Sequence, residues 1–340
     1  MAKLMGKQSL RFDHPPSVQS FACCAGKKEG EGPLGNKIDM IHPDEKMGLE
    51  SFEMAEAEMF MDAVKRCVDK EGLKPENIRI LLGGDLLDQL TASNFAGRNL
   101  GIPFLGLFGA CSTMAESLLV GSMVLEGRCA DRVICAASSH FCTAERQFRF
   151  PLELGAQRPP SAQWTVTGAG AVMLSQSGTL NRPAPRITFA TVGKPVDYGV
   201  KDATNMGAAM APAAADTLYQ HFMDTSTSPE DYDLIATGDL GMVGVALFHE
   251  LMRDRGMALS QSRHIDCGLQ IFDANQDTHA GGSGCGCSAT VLCADLLPRV
   301  SQGKIDRLLF MATGALMSPT SSNLGETIPS IAHAVVIERA

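Results

Sequence analysis

Between residues 50 and 70 the chain reads ESFEMAEAEMFMDAVKRCVDK, with Met54, Ala57, Met61, Val64 and Val68 recurring three or four residues apart and charges set between them. That spacing predicts an amphipathic helix with one apolar face. Farther on the apolar runs are shorter. PENIRILLGGDL (75–86) and PEDYDLIATGDL (229–240) each open on Pro-Glu and close on Gly-Asp-Leu, the pattern of a buried strand that breaks at a turn. A second pair follows in the same order. ACSTMAESLLVGSMVLEG (110–127) and GCSATVLCADLLPRVSQG (286–303) run from Cys-Ser through helical spacing to a final glycine, and each precedes an Asp-Arg and a further apolar run, DRVICAASS (131–139) and DRLLFMATG (306–314). Matched pairs in one order predict an internal duplication: a half spanning 1–180 that carries Cys111 and a half spanning 181–340, joined in one compact unit. Short strands alternating with helices predict an α/β fold, with a largely parallel sheet and helical cover in each half. The Gly- and charge-rich ACCAGKKEGEGPLGN (22–36) reads as a surface loop after a short first strand near residues 10–12.

In such halves the strand C-termini and the helix starts that follow them face the ligand. Asp85, Cys111, Asp239 and Cys287 fall at those ends. A thiolate at Cys111 would meet the unpaired N–H groups of a helix start, and its neighbours Gly109, Ala110, Ser112 and Thr113 are small enough to admit a ligand. At this point Cys111 is either a nucleophile or a small side chain in a tight turn.

Composition narrows the classes. The chain has 340 residues, 45% hydrophobic and 20% charged, enough for a large core, and its net charge of −9 with no basic run argues against a nucleic-acid partner. Eleven cysteines, an odd number, with no signal-peptide pattern ahead of them, are expected to be reduced thiols. The apolar runs fall short of the ~20 residues a spanning helix needs, so any membrane association is expected to be peripheral. CGC (285–287) lacks the second ligand pair that a zinc site requires, and no metal is expected there. Trp164, the single tryptophan, reads as a packing residue.

The duplicated halves and the GACS turn resemble the thiolase superfamily, and β-ketoacyl synthase III in particular. The resemblance implies a layered αβαβα sandwich with an acyl-carrying cysteine at a buried helix N-terminus. Those enzymes carry two partner side chains, His with His or Asn, on loops of the second half. Here the corresponding loops offer Asp239, in DLIATGDLG, and Ser283, in HAGGSGCGCSA (279–289), with His279 four residues upstream as a substitute. An acid at 239 opposes the negative charge that decarboxylative condensation develops. A closer resemblance covers nearly the whole chain. FGACSTMAESL (108–118), TAERQFRFP (143–151), TVTGAGAVMLSQ (165–176), MGAAMAPAAADT (206–217), ATGALMSPT (312–320) and ETIPSIAHAVV (326–336) are similar to the stage V sporulation protein AD family. That resemblance implies a non-condensing protein of spore formers. It would bind dipicolinic acid for uptake into the developing spore and act in sporulation and germination. It would sit peripherally on the cytoplasmic face of the forespore or spore inner membrane, beside membrane partners.

A planar dianion such as dipicolinate needs donors, positive charge and apolar walls. The expected ligand-binding set is Cys111, Ser112, Asp85, Asp239, Ser283, Arg146 and Arg149, the arginines for bidentate carboxylate contacts. Asp85 and Asp239 either hold loops or face the pocket, where a Ca2+ ion could accompany the ligand. The alternative is an acyltransferase that forms a thioester on Cys111 with help from His279 or Ser283. The family resemblance also implies a homodimer joined through the apolar strand 131–139, beside Ser138, Ser139 and His140.

Overall fold

The computed structural model describes residues 2–148 and 158–340. The first half contributes β1 (Ser17–Gly26), β2 (Ile80–Gly84), β3 (Phe104–Gly106), β4 (Arg132–Ser139) and β5 (Gly168–Ser175). The second contributes β6 (Arg186–Thr191), β7 (Leu234–Thr237), β8 (His264–Asp266), β9 (Arg307–Ala315) and β10 (Ser330–Glu338). The helices between them are α1 (Phe52–Asp69), α2 (Thr91–Leu100), α3 (Thr113–Glu126), α4 (Met206–Thr225) and α5 (Gly241–Asp254). A further long one, α6, runs through Cys285–Val291, a π-helical stretch Leu292–Leu296 and Leu297–Ser301, and shorter helices cover Phe141–Phe148 and Pro319–Asn323.

Strand order is the same in both halves: β3-β2-β4-β5-β1 in the first and β8-β7-β9-β10-β6 in the second. The two sheets touch through one paired position, Arg186 with Ser17. Each sheet is mixed, which corrects the expectation of largely parallel sheets. β2 pairs parallel with β3 and β4, but β5 returns antiparallel between β4 and β1, and β10 does the same between β9 and β6.

Alternation along the strands sorts side chains into three cores. On β4, Val133, Cys135 and Ala137 face a central core while Ile134 and Ala136 face the outer layer of α1 and α2. On β9, Leu308, Phe310 and Ala312 face the same central core while Leu309 and Met311 face α4 and α5. The central layer between the sheets is α3 and α6. Both faces of these strands are therefore apolar, as the unbroken runs of the sequence required.

The helix expected over 50–70 forms, capped by Ser51, whose Oγ accepts from the Met54 N–H at 3.2 Å. Ala57, Met61, Val64 and Val68 are buried, but Met54, on the first turn, is 48% exposed. The stretch 22–36 is not the expected surface loop. Residues 22–26 complete β1, with Cys23 in the central core and Cys24 in the outer one, and Lys27–Gly30 is a helical turn with Glu29 buried. Small side chains fit a strand covered on both faces, and that composition masked it. β4 is hydrogen-bonded on both sides, to β2 and β5, so it cannot extend the sheet into a second subunit. His140, just past its end, is fixed by the Glu45 carbonyl at 2.9 Å and the Cys142 N–H at 3.1 Å. Among the described residues no helix is long and apolar enough to cross a membrane.

Phe310→Ala is expected to cost about 3–5 kcal/mol by opening the central core. Met54→Ala should change stability by less than about 0.5 kcal/mol. Chemical denaturation of the two variants checks the contrast.

Candidate functional site around Cys111

The chain leaves β3, passes Gly109, and enters a one-turn helix, Ala110–Ser112, that leads into α3. Ala110 takes a left-handed φ of 51°, a sharp bend that sets Cys111 at the helix start. The bend is stitched by its own hydroxyls. Ser112 Oγ donates to the Gly109 carbonyl and Thr113 Oγ1 to the Ala110 carbonyl, each at 2.7 Å. β9 runs against this turn, and a Cβ at Gly314 would lie 2.1 Å from the Gly109 oxygen, so only glycine lets the two backbones approach.

Asp239, in the turn after β7, reaches the same place. Its Oδ2 accepts from the Gly284 N–H at 2.8 Å and from Ser283 Oγ at 3.3 Å, and its Oδ1 accepts from Thr313 Oγ1 at 2.9 Å. Gln163 Nε2 joins the two loops by donating to the carbonyls of Asp239, at 2.7 Å, and Gly282, at 2.8 Å. Burial pushes the Asp239 carboxyl up to about 7 despite these donors. Burial, and then the neighbouring Asp239 and Cys285, push the Cys111 thiol well above its ordinary value. The thiol is a proton donor facing an acid.

A narrow cleft opens beside Cys111, about 30 Å³ in volume, with Glu145 among its lining and Asp239 behind Cys111 and Ser283, outside it. Phe108, Phe148, Met206 and Met317 form its walls, with Cys111 and Ser283 among its lining. No lysine or arginine is among the described residues that line it. Cys111, Asp239 and Ser283 therefore come together, as the loop positions suggested.

Other expected site residues lie elsewhere. Asp85 accepts from the N–H groups of Leu87, at 2.8 Å, and Ser93, at 2.7 Å, and from Ser93 Oγ at 2.6 Å, which ties the end of β2 to α2 and leaves it outside the cleft. Ser112 spends its hydroxyl on the turn. Arg146 pairs with Glu53 at 3.2 Å with half its side chain exposed. His279 takes a φ of 53°, contacts the Pro159 carbonyl through Nδ1 at 2.9 Å and Asp277 through Nε2 at 3.2 Å, and does not line the cleft, so it cannot replace the synthase imidazole. Arg149 lies outside the described residues. Cys287, at the matching helix start in the second half, is buried in the central core, and Cys285 Sγ donates to the Ser138 carbonyl at 2.8 Å. Trp164 stacks on Phe141 at 3.7 Å. Among the described residues no group of three or more His, Cys, Asp or Glu could hold a metal ion. Both acids proposed for calcium already accept three donors each, and the residues do not fit that ion.

Two duplicated mixed sheets around a buried cysteine helix define a thiolase-fold protein, and solved structures agree. The chain superposes on 3-oxoacyl-[acyl-carrier-protein] synthase III from Aquifex aeolicus with a TM-score of 0.56 at 13% identity, over 95% of this chain and 99% of that one. Cerulenin-bound OleA from Xanthomonas campestris gives 0.62 at 15%, over 96% and 98%. Acat5 thiolase from Ascaris suum, in complex with coenzyme A, gives 0.60 at 11%, over 96% and 100%. The sequence matches the family model of stage V sporulation protein AD over residues 6–338. It is 47% identical over 339 residues to stage V sporulation protein AD of Bacillus subtilis (strain 168), covering 99% of this chain and 98% of that relative. The chain belongs to the stage V sporulation protein AD family.

Asp239 makes the site pH-sensitive. Its folded value, about 7, exceeds the ordinary 3.8, so the folded chain holds the extra proton between those values and stability falls as pH rises through that window. Asp239→Asn removes the penalty. Its melting temperature should match the wild type near pH 4 and exceed it above pH 7, by roughly 2–4 kcal/mol in stability. Scanning calorimetry across that range checks it.

Proposed function

We propose that this chain is a non-condensing member of its family that binds dipicolinate in the Cys111 cleft and supports its uptake into the developing spore with membrane partners. The carrying observation is the neighbour of the thiol: a buried acid, where a condensing enzyme needs a base to ionise the cysteine and donors for an oxyanion. At about 7 Asp239 is too weak a base to ionise a thiol held well above its ordinary value, and Cys111 and Ser283 are the polar side chains a carboxylate ligand would meet beside it. The apolar walls suit the faces of a pyridine ring.

The cleft must widen to accept it, because an apolar cavity that holds benzene has about 150 Å³, against about 30 Å³ here. The walls are side chains, Phe148, Met206 and Met317, and can move without breaking a strand. A dianion in the cleft stands one side chain away from Asp239, across Ser283 and Cys111, and favours the protonated form of that acid, so binding takes up a proton. Calorimetric titration with dipicolinate should give saturable binding that weakens about tenfold per pH unit above 7 in the wild type and is independent of pH in Asp239→Asn. No saturable binding at pH 6 would refute the reading.

A homodimer fits the other end of the first sheet. β3 is its edge strand, bonded among the described residues to β2 alone, and it carries Leu105 at 50% exposure, with Phe95 and Phe108 exposed beside it. An apolar strand edge of this kind invites pairing with a second copy. Leu105→Asp should convert the dimer to a monomer in light scattering at micromolar concentration.

A further inference from the structure

The far end of the second sheet carries a separate groove of about 400 Å³, between α5 and β8. Met242, Val245 and Leu269 give it apolar sides, and two histidines, His249 on α5 and His264 on β8, meet in it. His249 Nε2 lies 2.9 Å from His264 Nδ1, with the ring planes at 67°.

The hydrogen bonds behind His264 fix which nitrogen carries its proton. Asp266 accepts from the N–H groups of Leu240, at 2.9 Å, and Gly241, at 3.0 Å, and from Thr237 Oγ1 at 2.6 Å. The single hydroxyl proton of Thr237 is thereby committed to Asp266, so the same oxygen accepts from His264 Nε2 at 3.1 Å. His264 Nε2 is protonated, and its Nδ1 lone pair points at His249. Burial lowers the proton affinity of both rings, His264 to about 3, so both are neutral at neutral pH.

We propose that His249 Nε2 and His264 Nδ1 form a two-imidazole site for a divalent transition metal of the nickel and zinc class. Three features carry this. A metal-bound histidine characteristically donates its other N–H to a carboxylate or a relay to one, as His264 does through Thr237 to Asp266. Two nitrogens on one tetrahedral metal, each at about 2.0–2.1 Å, stand roughly 3.3 Å apart with each bond about 35° off the line between them, so the observed pair opens by a few tenths of an ångström and each ring turns to aim its lone pair at the shared ion. The groove leaves room for water in the remaining positions, and imidazole nitrogens favour nickel, copper and zinc over magnesium and calcium. The proton on His249 Nε2 moves to its own Nδ1, so the metal enters with no net proton release.

The test is isothermal titration of the full chain with Ni2+ at pH 7.5 in two buffers of different ionisation enthalpy. The expected result is one saturable equivalent whose heat is the same in both buffers. Binding should vanish in His249→Ala, a half-buried helix position whose truncation leaves the core intact, and weaken about 10–100-fold in Thr237→Val. Coordination by a buried cysteine thiol as thiolate would release its proton and make the heat buffer-dependent. That outcome, binding that survives in His249→Ala, or no saturable binding in the wild type would each overturn the proposal.

Discussion

Both sheets bury one face against the same two helices, α3 and α6, and the rest of the molecule follows from that shared layer. A strand covered on both faces cannot alternate polar and apolar residues, so its sequence becomes a continuous apolar run. A helix held between two sheets cannot show water a polar face. The buried residues of α3 are small or apolar save for hydroxyls that bond back to its own carbonyls, such as Ser117 and Ser122, and Glu126 near its end. The turn that leads into it, with Cys111, therefore lies inside the protein.

That placement sets two effects on the thiol against each other. A helix start favours an anion by about 0.3–1 kcal/mol, up to ~2 kcal/mol when partly buried. Removing an ion from water costs several kcal/mol. The second is larger, and Asp239 adds to it, so the thiol keeps its proton. In the synthase pattern an imidazole would offset that cost. Here the acid takes its donors from Gly284, Ser283 and Thr313 and offers Cys111 no base. The fold of an acyl-transferring enzyme is kept, with a different electrostatic interior.

The repeat was legible because Pro-Glu, Gly-Asp-Leu and Cys-Ser mark turns whose geometry constrains the residue type, and these recur in both halves. β1 was hidden because ACCAG contains small residues that serve equally in a loop and in a doubly covered strand. The returning directions of β5 and β10 were not legible, since an apolar run carries no sign of its orientation. Cys111, Asp239 and Ser283 could be found from the ends of predicted strands and helices. The walls could not: Phe148 and Met206 are far apart in sequence and meet only through the sheet order, and in TAERQFRFP the two arginines carry a stronger local signal than the phenylalanine between them. Asp85 showed the same local pattern as Asp239, and only the positions of Leu87 and Ser93 reveal that it holds a turn.

The central claim is that Cys111 is a protonated ligand-lining residue and carries no acyl group. Intact-mass spectrometry after prolonged incubation of the purified chain with acetyl-CoA tests it most directly. The account predicts an unchanged mass. An acetyl adduct that maps to Cys111 and disappears in Cys111→Ala would contradict it and return the chain to the acyltransferases.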